Sequence, residues 1–142
     1  VSASGAPVIT PPNDNAQVGP KLGTVLLVDD EELVRMSTAD MLADLGFAVL
    51  EVSSPQAALE IIEGDTPIDM LITDHIMPGM TGVELADVLR ERRPDVPVLI
   101  ISGFAEVKGI KPDLPRLTKP FRQADLAAML TGLRAAKARL VG

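Results

Sequence analysis

Five polar side chains in this chain follow directly on apolar runs. Asp29 and Asp30 end "TVLLV" (24–28), Asp74 ends "IDMLIT" (68–73), Ser102 closes "VPVLIIS" (96–102) and Lys119 follows "RLT" (116–118). Taken singly, each is ordinary: Asp favours turns and caps, Ser before Gly is a turn, and Lys before Pro is a solvated Lys. Taken together they are three carboxylates, a hydroxyl and an ammonium at the ends of separate runs. Acidic groups are rarely buried unless they are paired or bind a metal. Two carboxylates about 4 Å apart repel by roughly 4 kcal/mol at an effective dielectric of 20. Three remain ionised together only where protons or a cation intervene. Mg²⁺ suits such a set, because it is hard, takes oxygen ligands and keeps waters that a phosphate can replace. A carboxylate so placed can attack phosphorus to give an acyl phosphate, while a cation and a Lys take up charge on the phosphoryl oxygens.

Bringing these groups to one edge asks for a particular order of elements. "TVLLV" is short, β-branched and continuously apolar, as a strand buried on both faces is. Residues 31–45 place Val34, Thr38, Met41, Leu42 and Leu45 on one helical face, with Gly46 as the stop. "FAVLEV" (47–52) reads as a second strand, and Ser54-Pro55 opens a helix whose stripe closes at Gly64. "IDMLIT" is a third strand. After the turn "MPGM", Thr81 and Glu84 have capping-box spacing ahead of a helix to Arg93. "VPVLIIS" is a fourth strand, "RLT" a short fifth, and a last helix spans 122–137. Strands alternating with such helices specify the α/β class: a parallel sheet with helices on both faces and ligands beyond the strands' carboxyl ends. Residues 1–23 carry four Pro with Ser, Gly and Asn and no periodicity. They read as a flexible linker or disordered lead-in to one domain over 24–142.

Composition narrows the classes. Hydrophobic residues make up 46% of the 142, which excludes a disordered chain. No apolar run approaches the roughly 18 residues of a membrane span, so direct membrane contact by this domain is not expected. The absence of Cys excludes disulfides and thiolate sites and fits a cytoplasmic location. A net charge of −7, no Trp or Tyr and only three Phe argue against nucleic-acid binding, which wants a basic stripe or stacking aromatics.

Asp29-Asp30, "LITDHIMPGMTG" (71–82), "IISG" (100–103) and "TKPF" (118–121) resemble, in order, the response-regulator receiver domains of two-component signalling. The resemblance runs from Thr24 to the C-terminus. It implies a flavodoxin-like five-stranded sheet that takes a phosphoryl group from a kinase phosphohistidine, and not an enzyme acting on a separate substrate. Carried over by position, Asp74 matches the phosphoacceptor, Asp30 a direct Mg²⁺ ligand and Asp29 a ligand through water. Ile76 matches the residue whose main-chain carbonyl binds the metal, Ser102 the switch hydroxyl, and Lys119 the phosphate-binding Lys, which the family follows with a cis Pro. Mn²⁺ is expected to substitute for Mg²⁺. The implied partner is a histidine kinase or a histidine phosphotransfer protein. The Pro-rich lead-in and the lack of an initiator Met favour the C-terminal receiver of a hybrid histidine kinase over a stand-alone single-domain regulator. A haloacid-dehalogenase-type phosphatase would need an Asp two positions after its nucleophile, where Ile76 stands. A binding module that has lost phosphorylation would lack one of the acidic pair, the acceptor or the Lys, and all are present.

Other features read as structural. His75 points away from Asp74 on an extended chain, and Glu31 and Glu32 form a solvated helix start favoured by the dipole. Arg90, Arg92 and Arg93 form a solvated helix end. Two features depart from the family. Arg116 stands three positions before Lys119, where receivers place an aromatic. Residues 105–114, "AEVKGIKPDL", contain Gly109 and Pro112, which cost a helix about 1 and about 3 kcal/mol. The fourth helix is therefore expected to be short or replaced by a loop, the aromatic switch absent and the chain a monomer.

Overall fold

Val25 and Leu27 face one apolar environment and Leu26 and Val28 another, and this alternation divides the molecule into two layers of core. The structure is a computed structural model that describes residues 8–10, 22–103 and 115–141. The chain order is β1 (Val8–Thr10), β2 (Gly23–Val28), α1 (Glu32–Asp44), β3 (Phe47–Val52), α2 (Pro55–Glu63), β4 (Met70–Asp74), α3 (Gly82–Arg92), β5 (Val98–Ser102), β6 (Arg116–Thr118) and α4 (Gln123–Val141). The strands lie in the order β1-β3-β2-β4-β5-β6. From β3 to β6 all neighbours are parallel, so the expected flavodoxin-like five-stranded sheet is present.

On one face Leu26, Val28, Leu50, Val52 and Ile100 pack against Ala58, Ile61 and Ile62 of α2 and Val83, Leu85 and Leu89 of α3. On the other, Val25, Leu27, Val49, Ile72 and Leu99 pack against Ala39 and Leu42 of α1 and Leu126, Leu130 and Leu133 of α4. Helices cover both faces, so a polar residue in the middle of a central strand would be buried without water, and the runs are continuously apolar. The helix starts follow local chemistry. Ser54 Oγ accepts from Ala57 N with Pro55 in the first turn, and Thr81 and Glu84 form the capping box. β4 and β5 begin at Met70 and Val98, two residues later than their apolar runs. Ile68 and Val96 are buried all the same. Pro97 has no N–H for a ladder, although its carbonyl accepts from Leu71 N at 2.9 Å.

One strand has no counterpart in the sequence reading. Val8–Thr10, inside the stretch read as lead-in, pairs antiparallel with β3 (Val8 opposite Glu51, Thr10 opposite Val49). Three residues are too few to show an alternating pattern, yet the pairing covers what is otherwise an open sheet edge. The expectation of a short or missing fourth helix falls on 105–114 and lies outside the described residues. Arg116 is exposed on β6.

Candidate functional site

The ladders hold four elements at one edge. Asp74 ends β4 opposite Ile101, and Ser102 ends β5 opposite Thr118. The pairing then runs one residue further at three places. Asp29 N donates to Val52 O at 3.2 Å, His75 N to Ile101 O at 2.9 Å, and Lys119 N to Ser102 O at 2.8 Å. Asp29, Asp74, Ser102 and Lys119 thus leave the sheet at a common level.

Lys119 Nζ lies 3.1 Å from Asp74 Oδ1 and 3.6 Å from Glu31 Oε1. Carboxylate oxygens of Asp29, Glu31 and Asp74 all fall within 4.8 Å of one another. Asp29 is 3% exposed, Asp74 6% and Ser102 0%. Ser102 Oγ makes no hydrogen bond among the described residues. Burial pushes the Asp29 carboxyl above its usual value, outweighing the hydrogen bond from Glu31 N and the attraction of Lys119. For Lys119, burial works to lower the ammonium, but the hydrogen bond and charge of Asp74, with Asp29 and Glu31 behind it, raise it overall. The ammonium stays charged, and the pocket holds more negative charge than it answers. Its ligand atoms are all oxygens, those of Asp29 and Asp74 buried and that of Glu31 exposed. That set fits a hard divalent cation such as Mg²⁺ or Mn²⁺ better than a metal that prefers imidazole or thiolate.

The structure therefore brings Asp29, Asp74 and Lys119 together, with Ser102 on the adjoining strand end. Asp30 is exposed and is not part of the three-carboxylate group. Ile76, two residues past Asp74, is 52% exposed on the following turn, and Lys119–Pro120 is cis. Glu31, read from sequence as a solvated helix start, is solvated but also joins the cluster. Asp29 Oδ1 accepts from Glu31 N at 2.9 Å, an Asx-type turn that brings the Glu31 side chain back to Lys119. The Asp-x-Glu spacing at the strand exit was the signal for it.

Two further devices hold the floor. Gly82 N donates to His75 O at 2.7 Å. A Cβ at Gly82 would overlap the Asp74 carbonyl oxygen and come within 3.1 Å of His75 Cα, so only Gly lets α3 start this close to the acceptor strand. His75 itself is buried and outside the cluster. Arg93, expected to be solvated, instead donates to the carbonyls of Ile61, Ile62, Gly64 and Thr66 and caps the end of α2. No described helix is long and apolar enough to cross a membrane.

Comparison with known proteins points to one family. Residues 25–131 match the family model described as response regulator receiver domain. The chain is 39% identical over 111 residues to the sensor kinase CckA of Brucella abortus, covering 73% of this chain but 12% of that kinase. It is 35% identical to the response regulator receiver protein CpdR of the same organism, covering 72% of this chain and 88% of CpdR. Among solved structures, a receiver domain protein from Clostridium thermocellum superposes with a TM-score of 0.76 at 26% identity, covering 84% of this chain and 99% of that one. The receiver domain of the hybrid histidine kinase CckA gives 0.66 at 34% identity, covering 78% and 98%.

Proposed function

The chain belongs to the response regulator receiver domain family of two-component signalling, and on that premise we propose that it is a phosphoacceptor, taking a phosphoryl group from a phosphohistidine onto Asp74. An Asp74 carboxylate oxygen forms the new bond to phosphorus as the P–N bond breaks, and the imidazole nitrogen keeps the electron pair. Lys119, already 3.1 Å from Asp74, then holds a phosphoryl oxygen. The Ser102 hydroxyl, buried and without a hydrogen bond among the described residues, donates to another. Asp29, Asp30 and Asp74, the Ile76 main-chain carbonyl and the neighbouring Glu31 would hold Mg²⁺, or Mn²⁺ in its place. When bound, the cation neutralises charge on the carboxylates and the phosphoryl oxygens.

The partner is a histidine kinase or a histidine phosphotransfer protein. Its approach is supported by the groove of about 330 Å³ that Leu33, Val34, Ser37 and Met41 form with Lys119, Pro120 and Phe121. Leu33, 82% exposed, and Met36, 48% exposed, lie on the same helix. A cytoplasmic, monomeric receiver of a hybrid histidine kinase is the favoured setting, supported by the identity to CckA. A stand-alone regulator is the second reading, supported by the coverage of CpdR. The observation that carries the function is the Lys119–Asp74 contact inside a three-carboxylate pocket. Incubation with acetyl phosphate and Mg²⁺ should add the mass of one phosphoryl group to the intact protein. Asp74→Asn should not gain it, nor should the wild type in excess chelator. Equal labelling of Asp74→Asn would refute the assignment.

A further inference from the structure

We infer that Arg35 and Glu51 form a positioning pair that fixes the cation-binding loop from behind; the inference rests on the reading of that loop as a cation site. Arg35 sits in the first turn of α1, its amide on Glu31 O at 2.8 Å. Its side chain runs back past the helix start, and NH1 donates to the main-chain carbonyl of Asp29 at 2.9 Å. Its Nε lies 3.4 Å from Glu51 Oε1 on β3, an ion contact without a hydrogen bond, and the two side chains are only 15% and 14% exposed. Glu51 stands in register with Leu27, two residues before Asp29.

The result is a residue held on every side but one. The Asp29 amide is on Val52 O, its carbonyl receives Arg35, and its Oδ1 receives the Glu31 amide. The second carboxylate oxygen is left for the pocket. An ion pair this far from water is a poor source of stability, because desolvation offsets much of its attraction. Apolar side chains would fill the same space at no such cost. What the pair adds is direction and charge control. Arg35 reaches the backbone of the acidic wall without touching its carboxylates in any described contact, and Glu51 keeps the guanidinium there. Freed of Glu51, the guanidinium could swing onto the Asp29 or Glu31 carboxylate and compete with the cation.

Both members should therefore matter to metal affinity, and through a single path. The test is Mn²⁺ binding followed by the EPR signal of the free ion, with no phosphodonor present. It is run at a temperature where far-UV CD shows each variant folded. Arg35→Met should weaken binding about 10-fold, the lower end of what loss of an outer-shell partner costs. Arg35→Lys, which keeps the charge but not the fork, should fall between the two. Glu51→Gln should also weaken binding, and the double variant should be no weaker than Arg35→Met. A merely structural role would lower the melting temperature and leave the affinity unchanged. Should Arg35→Met fail to fold, Glu51→Gln and Arg35→Lys carry the same test. Affinities in folded variants that match wild type, or losses that simply add in the double variant, would overturn the pair. Failure of the wild type itself to bind Mn²⁺ would instead remove the reading of the loop as a cation site.

Discussion

Asp29→Asn should make the cation-free protein more stable while weakening its response to Mg²⁺. Asp29, Glu31 and Asp74 present oxygens within 4.8 Å of one another, so each ionised pair repels by at least about 3.5 kcal/mol at an effective dielectric of 20. Asn removes the two repulsions that involve residue 29 and gives up its attraction to Lys119. It keeps the Oδ1 that accepts from Glu31 N. Glu31 is 63% exposed, so solvent screens most of its share. The net gain is about 1–3 kcal/mol, or a melting temperature higher by roughly 3–10 °C for a domain of this size. The pH dependence has a definite sign. Burial raises the Asp29 carboxyl from its usual 3.8, so the folded state keeps this proton to higher pH than the unfolded chain does. Stability contributed by that proton is lost as pH rises from 3.8 through the raised value, and the Asn variant should lack this drop. The assay is thermal melting by far-UV CD in EDTA and in Mg²⁺. Cation at 100 times its Kd should stabilise the wild type by about 2.7 kcal/mol and the variant far less. An Asn variant that melts at or below wild type in EDTA would refute the charge argument.

Arg93→Ala should cost about 2–4 kcal/mol in urea unfolding, since it strips one cation from four carbonyls at the end of α2; Arg93→Lys should recover only part. Gly82→Ala should destabilise by about 1–3 kcal/mol and slow phosphoryl uptake in the mass assay, because the new Cβ meets the Asp74 backbone and not a yielding side chain. Ile76→Asn should shorten the life of the phosphoryl group, followed as loss of label, because an exposed apolar side chain beside the acceptor cannot orient the attacking water and an amide can.

The parallel sheet was legible because burial on both faces leaves a continuous run such as Val25–Val28, and the helix starts because Ser54-Pro55 and Thr81 with Glu84 satisfy their own orphan amides locally. The strand-end residues were legible for the same reason: a polar residue that follows an apolar run has to leave the sheet. What sequence did not reveal depends on contacts between distant segments. Arg93 looks like any helix-ending cation until α2 is seen to finish beneath it, 27 to 32 residues earlier in the chain. Arg35 looks like a surface helix residue until β3 supplies Glu51. Val8–Thr10 gains its strand only from the edge of β3, a partner that no local pattern announces.

The pocket's imbalance sets what any ligands of it would have to supply. Lys119 answers two carboxylates at 3.1 and 3.6 Å, and a third sits within 4.8 Å of both. A neutral residue at 29 would relieve this repulsion in the cation-free chain. A cation alone would quiet the carboxylates but compete with Lys119 for Asp74. A phosphoryl-like anion alone would satisfy Lys119 and Ser102 but meet the field of three carboxylates. Only the two together give the carboxylates a cation and give Lys119 and the buried hydroxyl an anion to bind. Each should therefore tighten the binding of the other, and by linkage the factor must be the same in both directions. Titrating Mn²⁺ with and without beryllofluoride, a phosphoryl mimic, measures it directly. A coupling of 1–3 kcal/mol, roughly 5- to 150-fold in affinity, is the usual range for linked sites. Lys119→Ala should remove most of that coupling and leave cation binding alone intact or tighter, since the competing ammonium is gone. Cation affinity unchanged by the mimic in wild type would show that the carboxylates and the ammonium do not serve one ligand pair.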